Sequence, residues 1–425
     1  MRARILFLCG ETISPNGTYA SVEQFFGDIL PGRGYDHIWI APSSQARRVE
    51  KLRLYGTDVW VYPKRRPASS VQLLREYLLT YRDIVSMTSK AVRQDGPFDI
   101  ILVRDDPLMA LAAVKIRRAS GIPVVYQMSH LKEEENLAYS RGGIYGSRLT
   151  NFMKGTAGRW LRNRLLRRAD AVLPISERMK ATLASFGVPA STMFVVPEGV
   201  DARITEESFA TSAEQLRRGL GLKNKRVLLY LGTMNGFREP GFLLRLLRAV
   251  LREAPDAHLL MVGDSPHSED LPSLKKKSDG LGLSAHVTFT GRVPREEVPA
   301  YICASEIGLS PFPPNSVLVN NSPIKVLEYL NMGRPVVASD IPEQKKIIEQ
   351  SGGGYCVSHR ETAFVEAILR LLRDPTRARV MGRRGQRYVR EKRDFRVLAS
   401  IIEDAYGNVL TPRRLKMTGY SGGTT

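Results

Sequence analysis

The sequence predicts an α/β protein made of two doubly wound, Rossmann-like domains facing across a cleft. Three observations carry this. Short runs rich in Val, Ile and Leu alternate with longer amphipathic segments, the pattern of repeated β-α units around parallel sheet. The alternation lapses into a polar, charged stretch after Pro197 and restarts at Arg226. The length, 425 residues, suits two or three domains.

In the first half, strands are predicted at 5–9, 37–41, 59–62, 100–103, 124–126, 171–175 and 193–196. Helices fall between them at 19–30, 70–93, 107–120, 158–168 and 176–186, with Asp99 and Gly121-Ile122-Pro123 as turn signals. After the break, strands are predicted at 226–231, 258–262, 287–290, 307–310, 335–338 and 355–357. The closing helical segments, 361–373, 375–392 and 395–410, exceed what one more β-α unit needs, so the last is expected to pack back on the first domain. This divides the chain into a first domain at 1–200, a linker at 201–222, a second domain at 223–393 and the returning helix at 394–412. Residues 413–425 form a tail whose Gly- and Thr-rich end is expected to be disordered.

A hydrophobic fraction of 43%, with 25% charged and 8% aromatic residues, is that of an ordinary folded protein. Cys9, Cys303 and Cys356 are far apart and odd in number, which supports neither a disulfide framework nor a zinc site and fits a reducing cytoplasm. Arg2 and Arg4 precede too short an apolar run for a signal peptide, and no window approaches the ~18 apolar residues of a bilayer span. Any membrane contact is therefore expected to be peripheral. The net charge of +20 favours anionic surroundings such as headgroups, nucleic acid or phosphorylated substrates. Because the surplus is spread over both halves, with no basic terminal run, nucleic acid is not an expected partner.

The most informative segment runs from Asn320 and Asn321 through Ser322-Pro323-Ile324-Lys325-Val326-Leu327-Glu328 to Gly333-Arg334-Pro335. Ser322 reads as an N-cap and Pro323 as the first helical residue, with Gly333 ending the helix. A helix N-terminus offers free amides and partial positive charge to a phosphate, and Lys325 adds a cation. Glu328, three residues on, can accept both hydroxyls of a ribose. Phosphate and ribose together imply a nucleotide. Two other nucleotide motifs do not apply: residues 280–285 match the loose dinucleotide fingerprint but precede a strand, and no G-x-x-x-x-G-K-[ST] loop occurs.

The run S-P-I-K-V-L-E-Y-L-N-M-G-R-P-V-V-A-S-D resembles the signature of the family 4 retaining glycosyltransferases, two-domain enzymes of GT-B fold. The resemblance implies an N-terminal acceptor-binding domain and a C-terminal domain that binds a nucleotide-diphosphate-sugar. It places the ribose-binding glutamate of the family's E-x7-E motif on Glu328, and the sugar-binding glutamate on Asn320, where this chain departs from the pattern. Asn321, Ser322 and Ile324 fall in the same donor-binding segment. Gly232, Thr233 and Arg238 fall where the family puts a small-residue turn and two diphosphate cations, Thr233 replacing the first cation. Arg292 and Val293, with Pro311 after the next strand, resemble the loops that hold the nucleobase. In the first domain, Gly17 and Thr18 follow strand one and are candidates for the acceptor side, and His130 holds the position of a functional His or acid. Glu133, Glu134 and Glu135 read as a solvated charge run.

The function this implies is transfer of a sugar, with retention, to a hydroxyl of a glycan or lipid-linked acceptor, as in bacterial-type polysaccharide or glycolipid synthesis. Arg238, Lys325 and His130 are the candidate catalytic residues. No Asp-x-Asp motif occurs, so no metal or other cofactor is expected. Residues 159–168 combine five arginines with Trp160 and suggest an anionic membrane surface as a partner, which puts the protein in the cytoplasm at the inner face of the membrane. Two readings stay open beside this one. A nucleotide-sugar epimerase would consume donor without acceptor; an inactive donor-binding or scaffold protein, suggested by Asn320 and Thr233, would bind without turnover.

Overall fold

The computed structural model describes residues 2–13, 19–64, 70–143 and 145–417. Gly17, Thr18 and the end of the tail, 418–425, lie outside the described residues. The chain forms two compact units, one from Met1–Pro197 with Phe395–Thr425 and the other from Glu198–Asp394.

The first unit is built on β1 (Ala3–Cys9), β2 (Tyr35–Ser43), β3 (Glu50–Leu54), β4 (Thr57–Pro63), β5 (Ile100–Arg104), β6 (Val124–Met128) and β7 (Ala171–Pro174). Their order is β3-β4-β2-β1-β5-β6-β7, and only β3 runs antiparallel to its neighbour. The central strands are apolar along most of their length because helices cover both faces of the sheet. Strand β3, Glu-Lys-Leu-Arg-Leu, went unpredicted: as an edge strand it is largely exposed and lacks that apolar signal. Residues 193–196, predicted as a strand, only touch β7 through the Phe194 and Val196 amides on the Val172 and Pro174 carbonyls before Pro197.

Two helices of this unit also differ from expectation. Helix Arg148–Leu166 starts ten residues earlier than predicted because the Ser147 side chain accepts the Thr150 amide as its N-cap. Helix Lys132–Gly142 was not foreseen, since it contains the glutamates read as a charge run. The closing helix, Phe395–Met417, buries Phe395, Leu398, Ala399, Ile402, Ala405, Tyr406 and Leu410 in the same cluster as Phe7, Phe25 and Trp39.

The second unit holds β8 (Arg226–Leu231), β9 (Ala257–Val262), β10 (Val287–Gly291), β11 (Ile307–Ser310), β12 (Val336–Ser339) and β13 (Gly354–Val357), all parallel, in the order β10-β9-β8-β11-β12-β13. Part of the stretch read as a linker is helical, Ala210–Gly219, and it belongs to this unit. The strand order reverses once in each sheet, between β1 and β5 and between β8 and β11. Ligand sites of doubly wound sheets form beyond the strand ends at such points.

Candidate active site

At the β8/β11 reversal the two strands pair only through Ile307 with Leu228 and Gly308 with Leu229. Tyr329, from helix Ile324–Asn331, reaches in where the pairing stops. Its hydroxyl accepts the Leu231 amide at 2.8 Å and lies 3.4 Å from the Leu229 and Leu309 carbonyl oxygens. Any Cβ at position 308 would overlap the Tyr329 ring, so Gly308 lets the helix dock there. Buried Gln344 clips the neighbouring end, donating to the Ser310 and Ser339 carbonyls at 3.2 and 3.0 Å. The helix is thus pinned over the crevice by partners far away in sequence.

This places Lys325 in the crevice with only 6% of its surface exposed. Its ammonium sits 3.8 Å from the Tyr230 ring centre and 4.9 Å from that of Phe312, and has no hydrogen-bond partner. Burial first, and Arg238 second, hold its pKa well below that of an ordinary lysine. The Arg238 guanidinium stands 5.0 Å from the centre of the same Phe312 ring, so two cations share one aromatic ring. Gly232 completes the wall: its φ is +120°, and a Cβ there would lie 3.4 Å from the Lys325 ammonium. Neither cation makes an ion pair among the described residues. Such a pair of cations, one of them buried, is a seat for an anion.

The remaining predicted donor residues divide in two. Thr233, Ile324 and Glu328 are half-buried. Burial pushes the Glu328 carboxyl up, against the pull of Arg295 and Lys325, so it is not the solvated side chain that a helix surface suggests. Asn321 keeps a buried side-chain oxygen without a partner. Pro311 is buried, Val293 half-buried and Arg292 exposed. Two predicted residues are occupied elsewhere. Ser322 is not the N-cap: its hydroxyl accepts the Glu198 amide at 3.1 Å, and Pro323 takes the cap position without a side-chain cap bond. Asn320 is buried and donates to the Ser316 carbonyl at 2.7 Å.

In the first unit, the β1/β5 reversal gathers a second cluster. Arg104 is buried, its Nε 3.8 Å from both Glu11 and Asp105 carboxylates. Asp105, at φ +52°, accepts the Ser129 amide at 2.8 Å and the Ser129 hydroxyl. Burial, then Asp105, pushes the Glu11 carboxyl up. His130 belongs to this region, with Nε2 3.0 Å from Glu135, whose other oxygen accepts the Tyr139 hydroxyl at 2.6 Å. The three glutamates are therefore not a solvated run. Glu135 orients His130, while Glu133 and Glu134 hold buried Arg162. Glu11, Arg104 and Asp105 escaped the sequence reading, although their positions just after two apolar strands were a usable signal. Among the described residues, no group of three His, Cys, Asp or Glu side chains is placed to hold a metal ion, and no helix is long and apolar enough to cross a membrane.

Both units match family models. Residues 28–199 match the glycosyl transferase 4-like domain, and residues 225–374 match glycosyl transferases group 1. The chain belongs to the family 4 glycosyltransferases. Its fold is GT-B, shared with sucrose-phosphate synthase of Thermosynechococcus elongatus, at a TM-score of 0.72 and 16% identity over 98% of this chain and 100% of that one. Anabaena HepE, solved with UDP and glucose, gives a TM-score of 0.68 and 16% identity over 95% and 98% of the two chains. In sequence, this family member is 28% identical over 232 residues to the GDP-mannose-dependent alpha-(1-6)-phosphatidylinositol monomannoside mannosyltransferase of Mycolicibacterium smegmatis. That alignment covers 54% of this chain and 59% of the relative, less than two thirds of its length.

Proposed function

We propose that the protein transfers a sugar from a nucleotide-diphosphate-sugar to a hydroxyl acceptor with retention at the anomeric carbon. The observation that carries this is the pair Lys325 and Arg238 against one Phe312 ring, without ion-pair partners among the described residues, at the strand reversal of the second unit. A diphosphate satisfies both cations, and its charge grows as the sugar bond breaks, so the same contacts favour the transition state over the ground state. Glu328 takes the ribose hydroxyls, and the loops at Arg292, Val293 and Pro311 take the base. With the leaving group stabilised by fixed cations, neither a protein nucleophile nor a divalent metal is required; EDTA is expected to leave turnover intact.

One relative is a GDP-mannose-dependent enzyme and HepE was solved with UDP, which supports a nucleotide-linked donor and leaves the base open. The phosphatidylinositol monomannoside in one of them supports an acceptor carried on lipid, in glycolipid or polysaccharide synthesis. His130, held by Glu135, is the candidate to contact the acceptor or transferred sugar. Thermal stabilisation by UDP-, GDP- and ADP-sugars tests the donor, because a ligand that binds only the folded state raises its apparent stability. One of them is expected to raise the midpoint, and turnover with it should give a product of unchanged anomeric configuration by NMR. No stabilisation by any of the three overturns the donor assignment.

A further inference from the structure

Helix Arg148–Leu166 has an inner face, Asn151, Gly155, Arg162, Leu165 and Leu166, that is buried in the first unit. A Cβ on Gly155 would come within 2.6 Å of Leu137, so this helix lies tight against Lys132–Gly142. Its opposite face is apolar as well. Leu149, Phe152, Met153 and Trp160 are 68, 53, 62 and 63% exposed. At 100° per residue these four fall within one stripe about 100° wide. A single exposed leucine means nothing, but four large apolar side chains on one ridge mark a surface that is covered in use.

The rim of the stripe says by what. Arg148, Lys154, Arg159 and Arg164 flank it on both sides and make no ion pair among the described residues, and no Asp or Glu occurs from Ser147 to Arg168. The Arg164 guanidinium lies 5.7 Å from the Trp160 ring centre, an aromatic and a cation side by side at the surface. Arg162, which the sequence counts with these arginines, is 1% exposed and held by Glu133 and Glu134 at 2.7 and 2.5 Å. It belongs to the core and not to the rim.

We propose that this stripe seats the protein on an anionic bilayer, with Leu149, Phe152, Met153 and Trp160 entering the boundary between headgroups and acyl chains. Arg148, Lys154, Arg159 and Arg164 then lie on the lipid phosphates. A convex ridge with cations on both sides and no acid fits a flat anionic surface. The proposal deepens the reading of a lipid-borne acceptor, but it rests on the helix alone and is tested apart from the donor site.

The test is co-sedimentation with vesicles of phosphatidylglycerol and phosphatidylcholine, compared with phosphatidylcholine alone. The protein is expected to pellet with the anionic vesicles at low salt. Trp39 and Trp60 are buried, so a blue shift of tryptophan emission on binding reports Trp160 entering the lipid. Substituting Leu149, Phe152 and Met153 with Ser should weaken partition about tenfold or more, and substituting the four rim cations with Gln should remove the preference for anionic vesicles. Donor-induced thermal stabilisation should survive in both variants, which shows that they fold; its loss from the unmodified protein would count against the donor site and not against the membrane seat. No pelleting at low salt, unshifted emission, or unimpaired binding of the Ser variant overturns the proposal. So does a concentration-dependent dimer that forms without lipid and disappears in the Ser variant, which assigns the stripe to a second copy.

Discussion

Lys325 and Arg238 set the most direct test at the level of single residues. In the unliganded protein the lysine's pKa is held well below 10.5 by burial and then by Arg238. A bound diphosphate favours the charged form and raises that pKa, so between the two values binding takes up a proton and affinity falls as pH rises. Calorimetry with a nucleoside diphosphate in buffers of different ionisation enthalpy should show this uptake, and Lys325→Met should abolish it. Heats independent of buffer at every pH where the protein stays folded would contradict the assignment. The Met variant also loses a buried charge, so its thermal midpoint without ligand should hold or rise while turnover drops about 100-fold or more. Arg238→Ala should behave alike in turnover. Glu328→Gln, which keeps the shape but loses the charge, should weaken donor binding roughly 10- to 100-fold with little change in stability. Lys325 and Glu328 were legible because cation, carboxylate and helix start lie close together in the sequence, and Arg238 through the resemblance of the loop at 232–238. Ser322 was misread for the opposite reason: the group that takes its hydroxyl, the Glu198 amide, is more than a hundred residues away.

At the level of elements, sequence pattern found the buried strands and failed where tertiary contacts decide. All six strands of the second unit were legible as apolar runs, whereas β3 carries three charged residues in five and owes its existence to pairing with β4. The helix Arg148–Leu166 hides the same problem. Its arginines look equivalent along the chain, yet Arg162 alone turns inward to Glu133 and Glu134. Breaking a buried pair leaves uncompensated charge, so Arg162→Gln should cost about 3–5 kcal/mol, whereas Arg164→Gln should cost under about 0.5. Comparable midpoints for the two variants in denaturant unfolding would refute this. Strand β2 contributes a pH dependence. His37 is buried, with Nδ1 2.9 Å from the Tyr35 carbonyl, and burial lowers its pKa from 6.5 to about 3. The unfolded chain protonates this histidine below about pH 6.5 and the folded one does not, so stability is full above that pH and is lost as pH falls toward 3. The slope from this group approaches about 1.4 kcal/mol per pH unit, and His37→Asn should flatten the unfolding profile between about pH 6 and pH 4.

At the level of the whole molecule, the chain passes between the units twice, at Pro197/Glu198 and at Asp394/Phe395, and the two units draw very differently on those crossings. The second unit closes on itself. Its ends are clasped by the Val200 amide on the Arg393 carbonyl at 2.9 Å and by the Ala202 amide on the Asp394 carboxylate at 3.1 Å. Buried Arg393 pairs with Glu343 at 2.6 Å. It also contains Gly232, Arg238, Lys325 and Glu328. Residues 198–394 expressed alone should therefore unfold cooperatively and bind a nucleoside diphosphate with an affinity within about tenfold of the full chain. The first unit cannot do the same from residues 1–197. It depends on Phe395, Leu398, Ile402, Tyr406 and Leu410 from the far end of the sequence to cover its core. At about 1.5–3 kcal/mol for each buried large apolar side chain, losing them removes about as much as the 5–15 kcal/mol that holds a typical domain folded. A chain ending at Asp394 should accordingly keep the nucleotide-binding transition and lose the first unit's, seen as one missing unfolding step and protease-sensitive N-terminal residues. If that truncated chain retained both transitions, or if 198–394 failed to fold, the self-sufficiency argued from these contacts would be wrong.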